Sequence, residues 1–137
     1  METNRVPTAS QAKKKVEKIL EGLSPTMQIC PVRDVLHTLT DKWSMFVMMV
    51  LGKHTTLRFN ELKTEVGGIS QKMLTVTMKK LEKNGLVTRK VYPQIPPKVE
   101  YTMTQMGLEF LQHLTIMLDW ACANSKKIGR CRKSQQS

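Results

Sequence analysis

At 137 residues, with 22 Lys or Arg against 11 Asp or Glu and a formal net charge of +11, the chain has the length of one domain and favours anionic partners, either nucleic acid or a membrane surface. Its 40% hydrophobic content is ordinary for a globular protein and allows a modest core. The longest apolar run, Met45 to Leu51, is too short to cross a bilayer, METNRVPTASQAKKK lacks the apolar stretch of a signal peptide, and Cys30, Cys122 and Cys131 are too few and too dispersed for a disulfide framework, so a cytoplasmic protein is expected.

Residues 1–10 are polar and expected to be a flexible N-terminus. Gln11 to Leu23 sets Val16, Ile19, Leu20 and Leu23 at i, i+3, i+4, i+7, with Lys13, Lys14, Lys15 and Lys18 mostly elsewhere on the helix; Ser24-Pro25 ends it. Pro31 suits a first helical position, and Val32, Val35, Leu36 and Leu39 repeat the spacing. Asp41 reads as the cap of a further helix, Trp43 to Leu51, which is apolar nearly all round and expected at the buried centre, with Gly52 as its stop. Asn60 reads as the N-cap of a short helix through Glu61, Leu62, Lys63 and Val66, stopped by Gly67-Gly68. Ser70, preceded by the apolar Ile69, caps the next, where Leu74, Met78 and Leu81 share one face until Asn84-Gly85.

Two β-type runs follow, Val87 to Tyr92 and Val99 to Thr104, joined by Pro93-Gln94-Ile95-Pro96-Pro97-Lys98, a stiff tip that cannot continue a ladder. Thr104 then caps a long helix in which Gly107, Phe110, Leu111, Leu114, Met117, Leu118 and Ala121 recur at steps of three and four, and residues 126–137 read as a polar basic tail. Two short helices joined by Gly67-Gly68 can cross steeply, with Leu62, Val66, Ile69, Leu74 and Leu81 in the crook. The predicted fold is therefore mainly α with a small β-hairpin wing, a winged helix-turn-helix over about residues 30–104, within one domain at 11–125 that carries added N- and C-terminal dimerisation helices.

From Ile69 to Lys98 there are seven Lys or Arg against the single acid Glu82, a balance that suits a phosphate backbone. A charge run on one helix is by itself only a solvated face; the coincidence of basic face, short hydroxyl and amide side chains at the helix start, and basic wing is what points to double-stranded DNA. Gln71 can offer an amide to adenine, Ser70 and Thr75 can reach base edges or phosphate, and Lys72 can reach guanine or the backbone. Lys79, Lys83, Arg89, Lys90, Lys98 and Arg58 are phosphate candidates, which set register without reading sequence. The apolar faces of the first and last helices exceed what a winged motif needs. These faces can pack back on the chain's own core, or pairing two copies can bury them and set two recognition helices about 34 Å apart, the usual way such domains read a palindromic site.

These motifs resemble the HxlR-type, MarR-like winged helix-turn-helix transcriptional regulators of bacteria. The resemblance is carried by Cys30-Pro31-Val32, Lys42-Trp43, Arg58-Phe59-Asn60-Glu61-Leu62, Ile69-Ser70-Gln71-Lys72-Met73-Leu74, Leu81-Glu82-Lys83-Asn84-Gly85-Leu86-Val87, and Tyr92-Pro93 with Pro96-Pro97-Lys98-Val99-Glu100-Tyr101, in order from Cys30 to about Ala121. It implies a homodimer joined through terminal helices, operator binding near its own or neighbouring genes, and no catalytic activity. Thr40-Asp41 ahead of Lys42, where the family often has glycine, and the extended basic C-terminus depart from the pattern.

Cys30 stands immediately before Pro31, at an N-cap position where unpaired N–H groups, the helix dipole and Arg33 favour a thiolate. The resemblance implies one use for it, since in several relatives a cysteine here senses quinones, aldehydes or hypochlorite-type stress; a free cysteine is more usually a small buried hydrophobe. An electrophile or small-molecule effector is accordingly a candidate partner. His37, His54 and His113 show no metal-ligand spacing, and no phosphate loop, nucleophile elbow or paired-carboxylate motif occurs, so neither metal nor cofactor is expected. Two rival readings are a basic protein binding nucleic acid without specificity or a membrane surface, the latter supported by the N-terminal helix with Lys13 to Lys15, and a thiol-dependent enzyme using Cys30, for which the sequence places no neighbouring base.

Overall fold

The computed structural model describes residues 6–22 and 31–135, with residues 31–34 described by their backbone alone. The chain divides into two compact units, Met1–Thr40 and Asp41–Ser137. The first holds α1 (Ala9–Gly22) and α2 (Pro31–Leu39). Helix α1 begins ahead of the expected Gln11 because Thr8 and Gln11 form a reciprocal cap: Thr8 N donates to Gln11 Oε1 at 3.0 Å and Gln11 N to Thr8 Oγ1 at 3.3 Å. Its Val16, Ile19 and Leu20 are exposed. Cys30, Leu23 and Ser24-Pro25 lie outside the described residues.

The second unit runs α3 (Lys42–His54), β1 (Thr56–Arg58), α4 (Phe59–Val66), α5 (Gln71–Lys83), β2 (Val87–Tyr92), β3 (Lys98–Met103) and α6 (Gln105–Gln135). The strands form an antiparallel sheet in the order β1-β3-β2, with Leu57 opposite Tyr101 and Arg89 opposite Tyr101 from the other side. The wing expected as a hairpin is thus three-stranded, since β1 pairs its three residues to β3. On the inner face Leu57, Val87, Tyr101 and Met103 are buried. They join Val47, Met48 and Leu51 of α3, Leu62 of α4, and Leu74, Met78 and Leu81 of α5 in one core, whose fully buried side chains each contribute about 1.5–3 kcal/mol.

Three further boundaries differ from the sequence expectation. Asn60 is not a cap: α4 starts after Arg58, whose N–H donates to Glu61 Oε1 at 2.9 Å, and Asn60 is the second helical residue. Gly52 does not stop α3, which continues to His54 and ends at Thr55, φ 71°, with Thr55 N donating to Leu51 O at 2.6 Å. A Cβ at Gly52 would run into Leu111 Cδ2, so this glycine marks where α6 crosses α3. Residues 126–135, read from sequence as a polar basic tail, form the last turns of α6. The start of α6 is as expected, capped by Thr104, whose Oγ1 accepts from Gly107 N at 3.0 Å and donates to Gly85 O at 2.6 Å.

Candidate nucleic-acid interface

The presentation of α5 is set by its two ends. Gly67 and Gly68 both lie in the left-handed region, with φ 67° and 70°, which turns the chain sharply out of α4 without a Cβ penalty. Ser70 Oγ then accepts from Met73 N at 3.0 Å, closing the first turn, while Leu74, Thr77, Met78 and Leu81 anchor the inner face. Thr77 carries the one polar side chain in that row, and its hydroxyl is satisfied by Met73 O at 2.8 Å. What remains outward is the stripe Lys72, Val76, Lys79 and Lys83, at helical steps of four, three and four, all exposed.

Between α5 and the sheet lies an open groove of about 750 Å³. Gln71, Thr75, Lys79 and Glu82 line it from α5, Arg58 and Asn60 from the start of α4, and Arg89, Gln94, Lys98 and Tyr101 from the wing. Six of the ten residues assigned to DNA from sequence, Arg58, Gln71, Thr75, Lys79, Arg89 and Lys98, are therefore brought to one concavity. Ser70, Lys72, Lys83 and Lys90 do not line it; Lys72 and Lys83 stand on the outward stripe beside it.

Several of these side chains already have partners, which changes what they can offer. Thr75 Oγ1 donates to Gln71 O at 2.8 Å, so its hydroxyl is an acceptor toward any ligand. Ser70 Oγ accepts a backbone N–H and keeps its own proton to donate to phosphate. In the wing, Lys90 Nζ and Lys98 Nζ each sit 4.8 Å from the Tyr92 ring centroid, and Lys98 is 3.8 Å from Glu100 Oε1. Lys90, Tyr92, Lys98 and Glu100 form one cross-strand cluster, because Lys90 pairs with Glu100 and Tyr92 with Lys98. Asn60 and Gln94, not assigned to DNA from sequence, add two amides to the groove. Asn60 was hidden by its resemblance to a helix cap, and Gln94 by its place in a proline-rich tip.

A concave cationic surface rimmed by a helix and a sheet, with amides and hydroxyls between the cations, matches the convex, anionic edge of a duplex better than it matches a small substrate. Among the described residues no group of three His, Cys, Asp or Glu side chains could hold a metal ion, and no helix is long and apolar enough to cross a membrane.

A model of the HxlR-like helix-turn-helix family matches residues 38–128, from the end of α2 deep into α6. The chain belongs to that family. The family is one of helix-turn-helix transcriptional regulators and not of enzymes, which removes the thiol-enzyme reading of Cys30. Over 99 residues, 72% of this chain and 78% of the relative, the chain is 34% identical to the uncharacterized HTH-type transcriptional regulator YtfH of Escherichia coli strain K12. The solved structure of the ytfH protein from Salmonella typhimurium superposes with a TM-score of 0.72 at 32% identity, covering 80% of this chain and 97% of that one. The redox regulator HypR in its reduced form superposes with a TM-score of 0.63 at 33% identity, covering 73% and 98%. The winged helix-turn-helix read from Ile69-Ser70-Gln71-Lys72 and Pro96-Pro97-Lys98 is thus the fold of this HxlR-family chain.

Proposed function

We propose that this HxlR-family regulator is a cytoplasmic homodimer that binds a palindromic operator in double-stranded DNA through the groove between α5 and the wing. The observation that carries the reading is the convergence of Arg58, Gln71, Thr75, Lys79, Arg89 and Lys98 on that one groove from three separate elements. Gln71 at the first turn of α5 is the base reader; Ser70, Lys72, Lys79, Lys83, Arg58, Arg89, Lys90 and Lys98 hold the phosphates. The homodimer is supported by apolar surface that one chain leaves uncovered on its terminal helices: Val16, Ile19 and Leu20 on α1, and Met117 and Trp120 on α6.

The deciding experiment is a fluorescence-anisotropy titration of the reduced protein, at physiological salt, against the DNA upstream of its own coding sequence and against a scrambled duplex. A preference of about a thousandfold for the upstream DNA is expected of a specific autoregulator. Equal, weak binding to both would overturn specific recognition of that DNA and favour the non-specific basic protein.

Control through a thiol is a second layer of the proposal, favoured by similarity to a redox regulator and by the Cys30-Pro31 position. Treatment with diamide is expected to change the operator affinity of the wild type and to leave Cys30→Ser unaffected. An identical response in both proteins would eliminate Cys30 as the sensor and turn attention to Cys122 and Cys131, which are exposed on α6.

A further inference from the structure

On the outward stripe of α5, three of four side chains are lysines and the fourth is Val76, 52% exposed. Of its helical neighbours one turn away, Lys72, Met73, Lys79 and Lys80, Met73 alone is apolar and is itself exposed. The core does not need it, since Leu74, Thr77, Met78 and Leu81 fill the inner face. Nor does helix propensity account for a β-branched residue at a solvent-facing position, where lysine or alanine is better.

Taking the DNA-binding reading above as given, we infer that Val76 reads the 5-methyl group of a thymine in the major groove. The thymine methyl is the apolar group on a base edge there, and the other bases present only donors and acceptors at the corresponding position. Val76 lies between Lys72 and Lys79 on the exposed stripe beside the groove, and those two lysines carry the charge for the flanking phosphates. The Val side chain is nearly fixed at χ1 in a helix, so it loses little freedom on contact, unlike a long flexible side chain in its place. The contact adds a T-specific element to a surface whose hydrogen-bonding reader is Gln71. That makes Val76 a specificity-determining residue rather than an anchor.

The test is a methyl-deletion cycle. An operator is selected by the wild-type dimer from random-sequence duplexes, and each thymine is then replaced, one position at a time, by uracil, which lacks only the methyl group. One position in each half-site is expected to lose about fourfold in affinity for the wild type, the effect of removing one buried methyl. Val76→Ala, which keeps the helix, is expected to bind the thymine operator more weakly by a similar factor and to be indifferent to uracil at that position. Val76→Thr, of nearly the same shape, is expected to retain part of the discrimination. A wild type insensitive to uracil everywhere, or a Val76→Ala protein that remains as sensitive as the wild type, overturns the inference while leaving operator binding intact. If no sequence is enriched at all, specific DNA recognition falls and this inference falls with it.

Discussion

Lys80 Nζ lies 2.9 Å from Asp41 Oδ1, tying the flank of α5 to the residue that precedes α3. On this basic helix Lys80 is thereby withdrawn from the exposed stripe, because its charge is paired within the domain. Partial burial acts to raise the Asp41 pKa, but Ser44 and the Lys80 ammonium outweigh it and hold the carboxyl below the usual aspartate value. A folded-state pKa below the unfolded one means that the unfolded chain takes up the proton first, so the pair stabilises at neutral pH and its contribution is lost as pH falls through the folded value. Because both side chains are partly exposed, the stabilisation is modest, roughly 0.2–1 kcal/mol. Asp41→Asn is therefore expected to lower the urea midpoint slightly at neutral pH and to match the wild type once the medium is acidic enough to protonate Asp41. A gap that stays constant across that range would refute the ion pair as its cause.

Lys79, one residue before Lys80, is expected to behave oppositely. It is exposed and lines the groove, so Lys79→Ala should leave stability nearly unchanged and flatten the log-log salt dependence of DNA binding by about 0.9 per subunit. Lys98→Ala should flatten it less. From sequence alone Lys98 stands as a full phosphate contact, but its ammonium sits beside Glu100 and Tyr92, and Glu100 already neutralises part of its charge. Glu100→Gln should release Lys98 and tighten binding to all sequences alike, which titrations of two unrelated duplexes at several salt concentrations would show. Equal slopes for Lys79→Ala and Lys98→Ala would mean that the Glu100 pairing does not persist against DNA.

The parts of this fold that were legible in the sequence are those governed by local chemistry. Ser70 and Asn84-Gly85 delimit α5 at both ends, and Val87 to Tyr92 is β2 residue for residue, because a cap, a positive-φ glycine and a β-branched run act within a few residues. Strand β1 was not legible, since three residues carry no periodicity and pair only through β3, more than forty positions downstream. Gly52 was misread for a related reason: a glycine that ends a helix and one that admits a neighbouring helix look alike until Leu111 is brought beside it. The polar composition of residues 126–135 resembles a tail, and their helical state was not visible in charge alone. The cations of α5 and the wing stood out from the sequence as a set. Which of them are spent on Asp41, Glu100 or Tyr92 depends on cross-strand and interhelical partners that no local pattern encodes.

The close approaches at Gly52 and Gly107 should respond differently to a single methyl group. At Gly107 a Cβ would meet Leu86 O and the Met103 side chain, and the carbonyl cannot yield because it accepts from Thr104 N at 3.0 Å. Gly107→Ala is expected to cost roughly 1–3 kcal/mol and to loosen the junction of α6 with the turn after α5. At Gly52 the obstacle is the far end of Leu111, a flexible and only partly buried side chain. The helix-propensity gain of about 1 kcal/mol for Gly→Ala inside α3 should offset most of the cost of moving it. Thermal melts of the two variants should therefore separate clearly, with Gly52→Ala near the wild type; coincident melts would mean that the backbone at Leu86 shifts as freely as a leucine methyl.

Trp120 offers the sharpest handle on the proposed homodimer. It is 61% exposed on α6, with Met117 one turn before it and Asn124, Ile128 and Cys131 after it along a shallow groove of about 360 Å³. A tryptophan left this open by one chain is the kind of residue that dominates a protein interface once a partner covers it. Trp120→Glu places a charge in that position without touching the core, whose contribution from α6 comes from Gly107 and Leu114. The expected outcome is a monomer by sedimentation velocity, with an unchanged helical circular-dichroism spectrum and melting behaviour that no longer depends on protein concentration. Affinity for a full palindrome should then fall to that for an isolated half-site, because the second recognition helix no longer arrives at the high effective concentration that pairing supplies. A variant that stays dimeric would move the interface away from this part of α6, and a monomer that still distinguishes full from half sites would show that DNA, rather than the helix pair, brings the two copies together.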